Sequence, residues 1–456
     1  MNRYFRLIVV AASLALSCGG TASAQSQQGE PEKPFRGLFG GNEADLRSRQ
    51  ALDFRFSLYG AWEENVTTLL DSAEYTPSRF ESLLNMTGYY AGATSSLSYS
   101  RRGKRFSFNA VGGAHFRYYT EQQEFSNASD WASVGFSASL SPKTTLSASQ
   151  GVSYSPYYSN GFFPMLTAPV PGEVLSPSPD YYTFYHPNYS YTTAVNLGRR
   201  LTPRSSLSAY YNLNYVDFTE QDDLSSWQPF RNQMAGARYQ HNLTKTLGFH
   251  AGYAYTEGRY GWYAAQAYPV KGHNIDVGLD YSQTLPLGRK TTFGFATGTS
   301  IVEGTSNYAD EKGENGRYYF NALVTAYVNT AIGRTWKAGV NYGRGLMFVQ
   351  GFQEPWFYDS VWATLGGYLG RRVNVSFQGG WTNGGSYYAL EGAGIDAWTA
   401  LANLHVALTR TVAVFGQYFY YHYDVAGQQL LPFVAARDFE RHGVRAGLTV
   451  WLPLLR

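Results

Sequence analysis

The sequence predicts an all-β protein: a transmembrane, antiparallel, up-and-down β-barrel of about 18 strands, with 16 strands as the alternative count. Three observations lead to this prediction. Apolar and polar residues alternate along most of the chain, short basic turns recur at intervals of 38 to 60 residues, and an export signal opens the sequence. Strict alternation is the pattern of strands that have one apolar and one polar face. Strands joined alternately by short turns and long loops are typical of membrane barrels.

The N-terminus has the organisation of a secretory signal. Arg3 and Arg6 precede an apolar run at 7–16, and the small residues of 22–24 complete a cleavage site. The run is too short to remain as a membrane-spanning helix. We therefore predict a cleaved signal peptide at 1–24, a flexible periplasmic segment at 25–50, and an outer-membrane barrel at 51–456.

Cys18 is the only cysteine of the chain. It either leaves with the signal or carries a lipid, and its flanking residues match poorly the leucine-first pattern of lipid-modified cysteines. If Cys18 leaves with the signal, the mature chain has no cysteine, which excludes disulfides, cysteine-ligated zinc and thiol catalysis.

The composition fits a sheet with two different faces. Aromatic residues make up 17% of the chain and charged residues only 15%, yet the mean hydropathy is −0.32. No stretch after the signal offers about 18 consecutive apolar residues, so helical spans are not expected. A chain poor in both charge and long apolar runs fits strands that bury only every second side chain.

The last predicted strand shows the alternation well. Its apolar positions are Val444, Ala446, Leu448, Val450 and Leu452, and they alternate with Arg445, Gly447, Thr449 and Trp451. A soluble β-propeller is the alternative, because its blades also repeat about every 40 residues. A blade contains four short strands, whereas each repeat here contains two longer ones, so the barrel is favoured.

Charge separates the short connections from the long ones. The eight tight turns carry basic residues and no acids: Arg101, Arg102, Lys104, Arg105, Lys143, Arg199, Arg200, Arg204, Lys245, Arg289, Lys290, Arg334, Arg371, Arg372 and Arg410. The long segments hold most of the acids: Glu63, Glu64, Asp71, Glu74, Glu121, Glu124, Asp222, Asp223, Asp310, Glu311, Glu314 and Glu354. We expect the turns to face anionic phospholipid at the periplasmic leaflet, and the loops to face lipopolysaccharide. The alternative is that Arg and Lys simply suit tight turns.

The basic turns, the "LTPR" turn at 201–204, the signal and the strand count together resemble the β-barrel porins of Gram-negative outer membranes. Among these, the sequence resembles the porin-like barrels that are often associated with exopolysaccharide systems. The resemblance covers roughly 50–456 and implies a barrel more than any particular solute. The C-terminus departs from the pattern, because such barrels commonly end on an aromatic residue and this chain ends "VWLPLLR".

The predicted inward set supplies candidates for lining a pore. These are Arg55, Arg105, Arg117, Arg238, Lys337, Arg445, Asp53, Asp276, Asp280 and His250, with His115 and His405 on the same face. Rings of charge set pore selectivity, and the basic excess favours anionic or polyhydroxylated solutes. The alternative is that these charges pair across the wall and only stiffen it.

The predicted loop 155–188 is the longest connection, and long ordered loops usually have a function. Its candidate binding residues are aromatic: Tyr157, Tyr158, Phe162, Phe163, Tyr181, Tyr182, Phe184 and Tyr185. If the loop folds inward, these rings form a constriction that stacks on sugar faces. If it folds outward, it is a binding or shielding surface. Inward folding is favoured.

No motif for a catalytic nucleophile, a metal site or a phosphate loop is present in the sequence, so we predict neither enzymatic activity nor a cofactor. The expected partners are outer-membrane lipids, lipopolysaccharide, the barrel-assembly machinery and a polysaccharide or small-solute ligand, with no nucleic acid. Two functions fit: a passive or weakly selective channel for small polar or anionic solutes or oligosaccharides, and a non-conducting accessory of exopolysaccharide export or surface interaction.

Overall fold

The computed structural model describes residues 49–64, 68–69, 88–120, 126–159, 183–219, 228–261, 270–285, 291–303, 318–333, 335–347, 356–386, 394–426 and 438–455. Within these ranges the regular structure is all β. No helix among them is long and apolar enough to cross a bilayer. The predicted signal peptide and nearly all of the predicted segment 25–50 lie outside the described residues.

Nineteen strands form one sheet. Their bounds are β1 Gln50–Glu63, β2 Thr68–Leu69, β3 Gly88–Arg102, β4 Phe106–Tyr119, β5 Asn127–Ser141, β6 Thr144–Ser159, β7 Thr183–Arg200, β8 Ser205–Phe218, β9 Gln228–Asn242, β10 Leu247–Gly261, β11 Val270–Leu285, β12 Thr291–Glu303, β13 Tyr318–Ile332, β14 Trp336–Met347, β15 Trp356–Leu369, β16 Val373–Ser386, β17 Gly394–Ala407, β18 Val412–Ala426 and β19 Asp438–Leu455. The two-residue strand β2 pairs in parallel with the start of β7. The other 18 strands form the barrel.

The barrel is antiparallel throughout, and each strand pairs with its neighbours in the sequence. The ring closes where β1 pairs with both β3 and β19. Closure leaves no free edge, so the backbone hydrogen bonds of the wall are satisfied without water, as a membrane requires. The predicted fold class and the count of 18 strands are confirmed.

A Leu-Thr pair occurs in three of the tight turns, at 201–202, 243–244 and 408–409, and the threonines have a structural role. In the turns after β7, β9 and β17, the side-chain oxygens of Thr202, Thr244 and Thr409 accept the backbone N–H three residues later, at 3.0, 2.9 and 2.9 Å. Thr competes for backbone hydrogen bonds in this way at turns. Two other turns use glycine instead, because Gly333 and Gly370 have positive φ angles of 65° and 72°.

A tilted strand needs about 9–11 residues to cross a bilayer, and the barrel strands here are longer, from 12 residues in β14 to 18 in β7 and β19. The additional residues extend into segments that the sequence places in loops. The predicted loop 155–188 shows this most clearly, because Tyr157 pairs with Tyr185 and Tyr158 with Phe184 in the β6–β7 ladder. Residues 160–182, which include Phe162, Phe163, Tyr181 and Tyr182, lie outside the described residues, so the direction of the loop stays a prediction.

The two faces of the wall differ as the alternation predicts. On the outer face, large apolar side chains remain exposed, such as Leu58 at 52%, Val277 at 59% and Leu448 at 49%. Soluble monomers rarely expose apolar surface continuously around the molecule. This face is therefore the surface that contacts lipid, and the alternate side chains line the lumen.

Candidate functional site

The lumen is the part of the molecule where charged side chains converge. We define the turn end of the barrel as the end with the tight turns, and the loop end as the end with the long connections. Asp53, Arg55 and Glu63 lie on the inward face of β1, because they alternate with the outward Leu58. The same alternation places His115 and Arg117 of β4, Lys337 of β14, His405 of β17 and Arg445 of β19 on the inward face. Arg105 lies in the exposed turn between β3 and β4, where its backbone oxygen accepts a hydrogen bond from Ser139.

One cluster of lumen side chains surrounds a buried carboxylate near the loop end. We call Glu63, Tyr90, Arg441 and Arg445 the Glu63 cluster. Glu63 is 0% exposed. Its Oε1 accepts a hydrogen bond from Arg445 Nη2 at 2.8 Å and another from the Tyr90 hydroxyl, while its Oε2 contacts Arg441 Nη2. A buried charge is tolerated when it is paired and hydrogen-bonded, and both oxygens of Glu63 meet this condition.

Aromatic rings complete the surroundings of the cluster. The guanidinium of Arg445 lies 4.8 Å from the ring centre of Phe419, and that of Arg117 lies 5.6 Å from the ring centre of Tyr90. Such cation–π contacts stabilise partly desolvated arginines. Tyr59 adds a hydrogen bond of 2.6 Å to His115 Nε2. Three arginines thus surround one carboxylate, and this part of the lumen is positive by two formal charges.

The prediction for Glu63 was wrong. The sequence places Glu63 in an acidic outer loop, whereas the structure makes it the last residue of β1 with its side chain in the lumen. Sequence reasoning also missed Arg441 and Tyr90. The alternation along β19 could have identified Arg441, because residues 441, 443 and 445 are alternate positions and share the inward face.

A second cluster lies on β9, β10 and β11, and we call Arg238, His250, Asp276 and Asp280 the Asp276 cluster. Arg238 contacts Asp276 at 3.3 Å through Nη1 and Asp280 at 3.2 Å through Nη2. His250 is 1% exposed and its Nε2 lies 2.9 Å from Asp276 Oδ1. Its Nδ1 lies 3.0 Å from Asp280 Oδ1 but lacks the alignment for a hydrogen bond.

The backbone register explains how Arg238 reaches across an intervening strand. Gly252 of β10 lies directly opposite Arg238 on one side and Asp276 on the other. A Cβ at Gly252 would lie 3.3 Å from the Cβ of Arg238, so the glycine keeps the path between the two charges open. The sequence predicts these four residues as lumen candidates, and the structure brings them together in one network.

The two clusters occupy opposite walls at different heights. In the ring of 18 strands, β11 lies nine positions from β1. The Glu63 cluster lies at the loop end, whereas Arg238 and His250 are four and three residues from the turn ends of their strands. The Asp276 cluster carries two carboxylates, one guanidinium and one imidazole. A solute that passes along the lumen therefore meets a positive wall and a more acidic wall in succession.

Small and uncharged polar side chains make up another part of the inward face. Gln417, Asn403 and Ser376 form a chain across three strands, with hydrogen bonds of 2.8 and 3.3 Å. Ser57 and Thr449 bond at 2.9 Å. Within the parts of the chain that the structure describes, no group of three or more His, Cys, Asp or Glu side chains is arranged to hold a metal ion.

Comparison with known proteins gives likeness in fold only. No family model matches the chain, and no curated protein matches its sequence. OccAB4 of Acinetobacter baumannii is 12% identical, with 89% of this chain and 100% of that chain covered and a TM-score of 0.41. OccK2 (OpdF) of Pseudomonas aeruginosa, solved with glucuronate, is 10% identical, with 89% and 98% covered and a TM-score of 0.43. The outer membrane protein OpdK of the same organism is 10% identical, with 88% and 99% covered and a TM-score of 0.40.

The chain has the architecture of a porin. Its wall is a closed antiparallel ring of 18 strands with an apolar outer face and an inner face that carries the polar and charged side chains.

Proposed function

We propose that the protein is an outer-membrane channel for passive or weakly selective passage of small polar solutes, with a preference for anions. One observation supports this most strongly: the ring of 18 strands encloses an inner face that carries charged, polar and small side chains together with buried aromatic rings. Barrels of about 16 to 18 strands leave an aqueous channel, and the polar lining provides hydrogen bonds to water and solutes. Oligosaccharides are the second class of solute that such a lining accommodates.

The net positive charge of the side chains that line the lumen supports the preference for anions. Within the described strands and away from their turn ends, six basic side chains face inward against four carboxylates. The basic set is Arg55, Arg117, Arg238, Lys337, Arg441 and Arg445, and the acidic set is Asp53, Glu63, Asp276 and Asp280. The basic excess raises the concentration of anions in the lumen, because a low-dielectric wall focuses the field. Among these ten side chains Lys337 is the one that is exposed, whereas the others are buried or half-buried, so it is the lumen charge most accessible to passing ions.

The proposed location is the outer membrane of a Gram-negative bacterium, with lipopolysaccharide around the loop end. The polar side chains that face outward near the loop end support this. Asp359 accepts a hydrogen bond from Tyr342 at 2.5 Å and lies 3.5 Å from Arg344. On the same face, Trp381 donates to Asp396 at 3.1 Å. Aromatic and charged side chains of this kind suit headgroup depth.

Planar-bilayer recording of the purified protein tests the proposed function. We expect steady single-channel currents, and a reversal potential in a potassium chloride gradient that has the sign of chloride preference. A silent protein that stays silent after deletion of 158–186 contradicts the proposal. That outcome favours the non-conducting accessory of exopolysaccharide export.

A further inference from the structure

The strand pair that closes the barrel differs from every other pair in the wall. Consecutive strands are joined by a turn or loop, and in tight hairpins the connection fixes the register. The pair of β1 and β19 has no connection, since the two strands lie at opposite ends of the chain. Their register must therefore come from side chains alone.

Most of the outer face of this pair carries little register information. Along 52–62 of β1 and 444–452 of β19 the outward residues are apolar or glycine: Leu52, Phe54, Phe56, Leu58, Gly60 and Trp62 on β1, and Val444, Ala446, Leu448, Val450 and Leu452 on β19. At the loop end of the same face, Glu64 contacts His442, and both side chains are partly exposed. A slip by one residue inverts the faces of a strand, but a slip by two residues keeps lipid-facing residues outside. The alternation that encodes the fold cannot exclude this second error.

Toward the loop end, the inner face pairs large residues with small ones. Glu63 lies opposite Gly443, Ala61 opposite Arg445, and Tyr59 opposite Gly447. Neither Gly443 nor Gly447 has room for a side chain. A Cβ at Gly443 would lie 2.8 Å from Glu63 Cγ and 2.4 Å from Phe419 Cζ, and a Cβ at Gly447 would lie 2.6 Å from Tyr59 Cβ.

The Glu63 cluster adds charge to this complementarity. Gly443 places Arg441 and Arg445 on either side of the Glu63 carboxylate, so that each arginine contacts one oxygen. Tyr90 of β3 donates to the same carboxylate from the other neighbouring strand. A slip by two residues in either direction sets Glu63 directly opposite one of the two arginines. The second arginine is then four residues farther along β19. The same slip removes the small partner of Tyr59.

We propose that the Glu63 cluster, with Gly443 and Gly447, fixes the register in which the last strand closes on the first. The cluster recognises one closure of the ring and disfavours the two neighbouring closures that the lipid-facing pattern permits. This role is independent of whether the lumen conducts. Its partner is the N-terminal strand of the same chain.

Cross-linking of engineered cysteine pairs tests this role. Leu58 lies directly opposite Leu448, so Leu58→Cys with Leu448→Cys reports the native register. Leu58→Cys with Val450→Cys, or with Ala446→Cys, reports a slip by two. Disulfide formation under mild oxidation is measured in detergent-solubilised barrels, counting only protein with heat-modifiable gel mobility. Each pair is introduced into four backgrounds: unchanged, Glu63→Gln, Tyr90→Phe and Glu64→Gln.

Glu64→Gln is the comparison variant, because Glu64 is the adjacent carboxylate and also contacts β19, but its contact with His442 lies on the outer face, where the two side chains are 42% and 34% exposed. Exposed ion pairs contribute much less than buried ones. We expect the ratio of native to slipped product to fall at least about tenfold with Glu63→Gln, which corresponds to about 1.4 kcal/mol, and to fall only slightly with Glu64→Gln. Tyr90→Phe removes one hydrogen bond, so its ratio should lie between those two. If the Glu63→Gln protein does not assemble, the ratio measured for Tyr90→Phe still tests the proposal. The proposal is overturned if the ratio of native to slipped product is the same in the Tyr90→Phe protein, the Glu64→Gln protein and any Glu63→Gln protein that assembles.

Discussion

An arginine on the outer face should destabilise the barrel far more than an arginine at the next position, which faces the lumen. Val340 of β14 is 49% exposed and lies outside, opposite Val328 and Ala363 of the neighbouring strands. Asn341 is its immediate neighbour and faces inward. Val340→Arg and Asn341→Arg therefore place the same charge at the same depth on opposite sides of the wall.

The expected magnitude depends on the depth of Val340. A strand rises about 3.3 Å per residue, and a tilt of about 40° reduces this to about 2.5 Å of depth. Val340 is five residues beyond Thr335 of the turn, or roughly 12 Å from the turn end, near the middle of an apolar band about 25 Å tall. An arginine there costs about 2–4 kcal/mol, a factor of roughly 30 to 700 in the folding equilibrium. Asn341→Arg should cost less than about 1 kcal/mol, as for a solvated site.

Reversible unfolding in guanidinium chloride with lipid vesicles measures both free energies, followed by tryptophan fluorescence and by heat-modifiable mobility on gels. The difference between the two variants is the informative quantity, because effects of the added volume and charge on the unfolded chain largely cancel. Equal costs, or a larger cost for Asn341→Arg, would refute the assignment of the two faces.

Three further predictions concern the lumen charges. Glu63→Ala leaves Arg441 and Arg445 buried without their carboxylate and should cost about 3–5 kcal/mol in the same unfolding assay; a cost under about 1 kcal/mol argues against a desolvated cluster. Arg238→Ala leaves the two carboxylates of the Asp276 cluster uncompensated and should move the reversal potential toward cation preference, and no movement would mean that ions do not pass this wall. Lys337→Glu changes the lumen by two charges and should lower the chloride-to-potassium permeability ratio; an increase would show that the sign of the lumen field is misassigned.

Much of the fold can be predicted from local sequence, because each strand carries its own two-residue period and each turn its own Thr, Gly or basic residues. Positions such as Arg238 and Asp276 can be placed on the inner face from the alternation of residues along their strands alone. Their contact is not predictable, since it depends on the register of two strand pairs and on Gly252 between them. The sequence favours a loop at Glu63 because this residue is the first of two adjacent acids at the end of an apolar run. Its partners, Arg441 and Arg445, become neighbours only when the ring closes.

The most direct test of the two-faced wall is a spin-label scan along β14 in lipid vesicles, with labels placed singly at 337–343. Collision with lipid-soluble oxygen and with a water-soluble nickel chelate is measured at each position. We predict that oxygen accessibility peaks at 338, 340 and 342, that nickel accessibility peaks at 337, 339, 341 and 343, and that the two profiles are out of phase. Profiles that rise and fall together, or a chelate that reaches position 340, would contradict a wall with hydrocarbon on one side and water on the other.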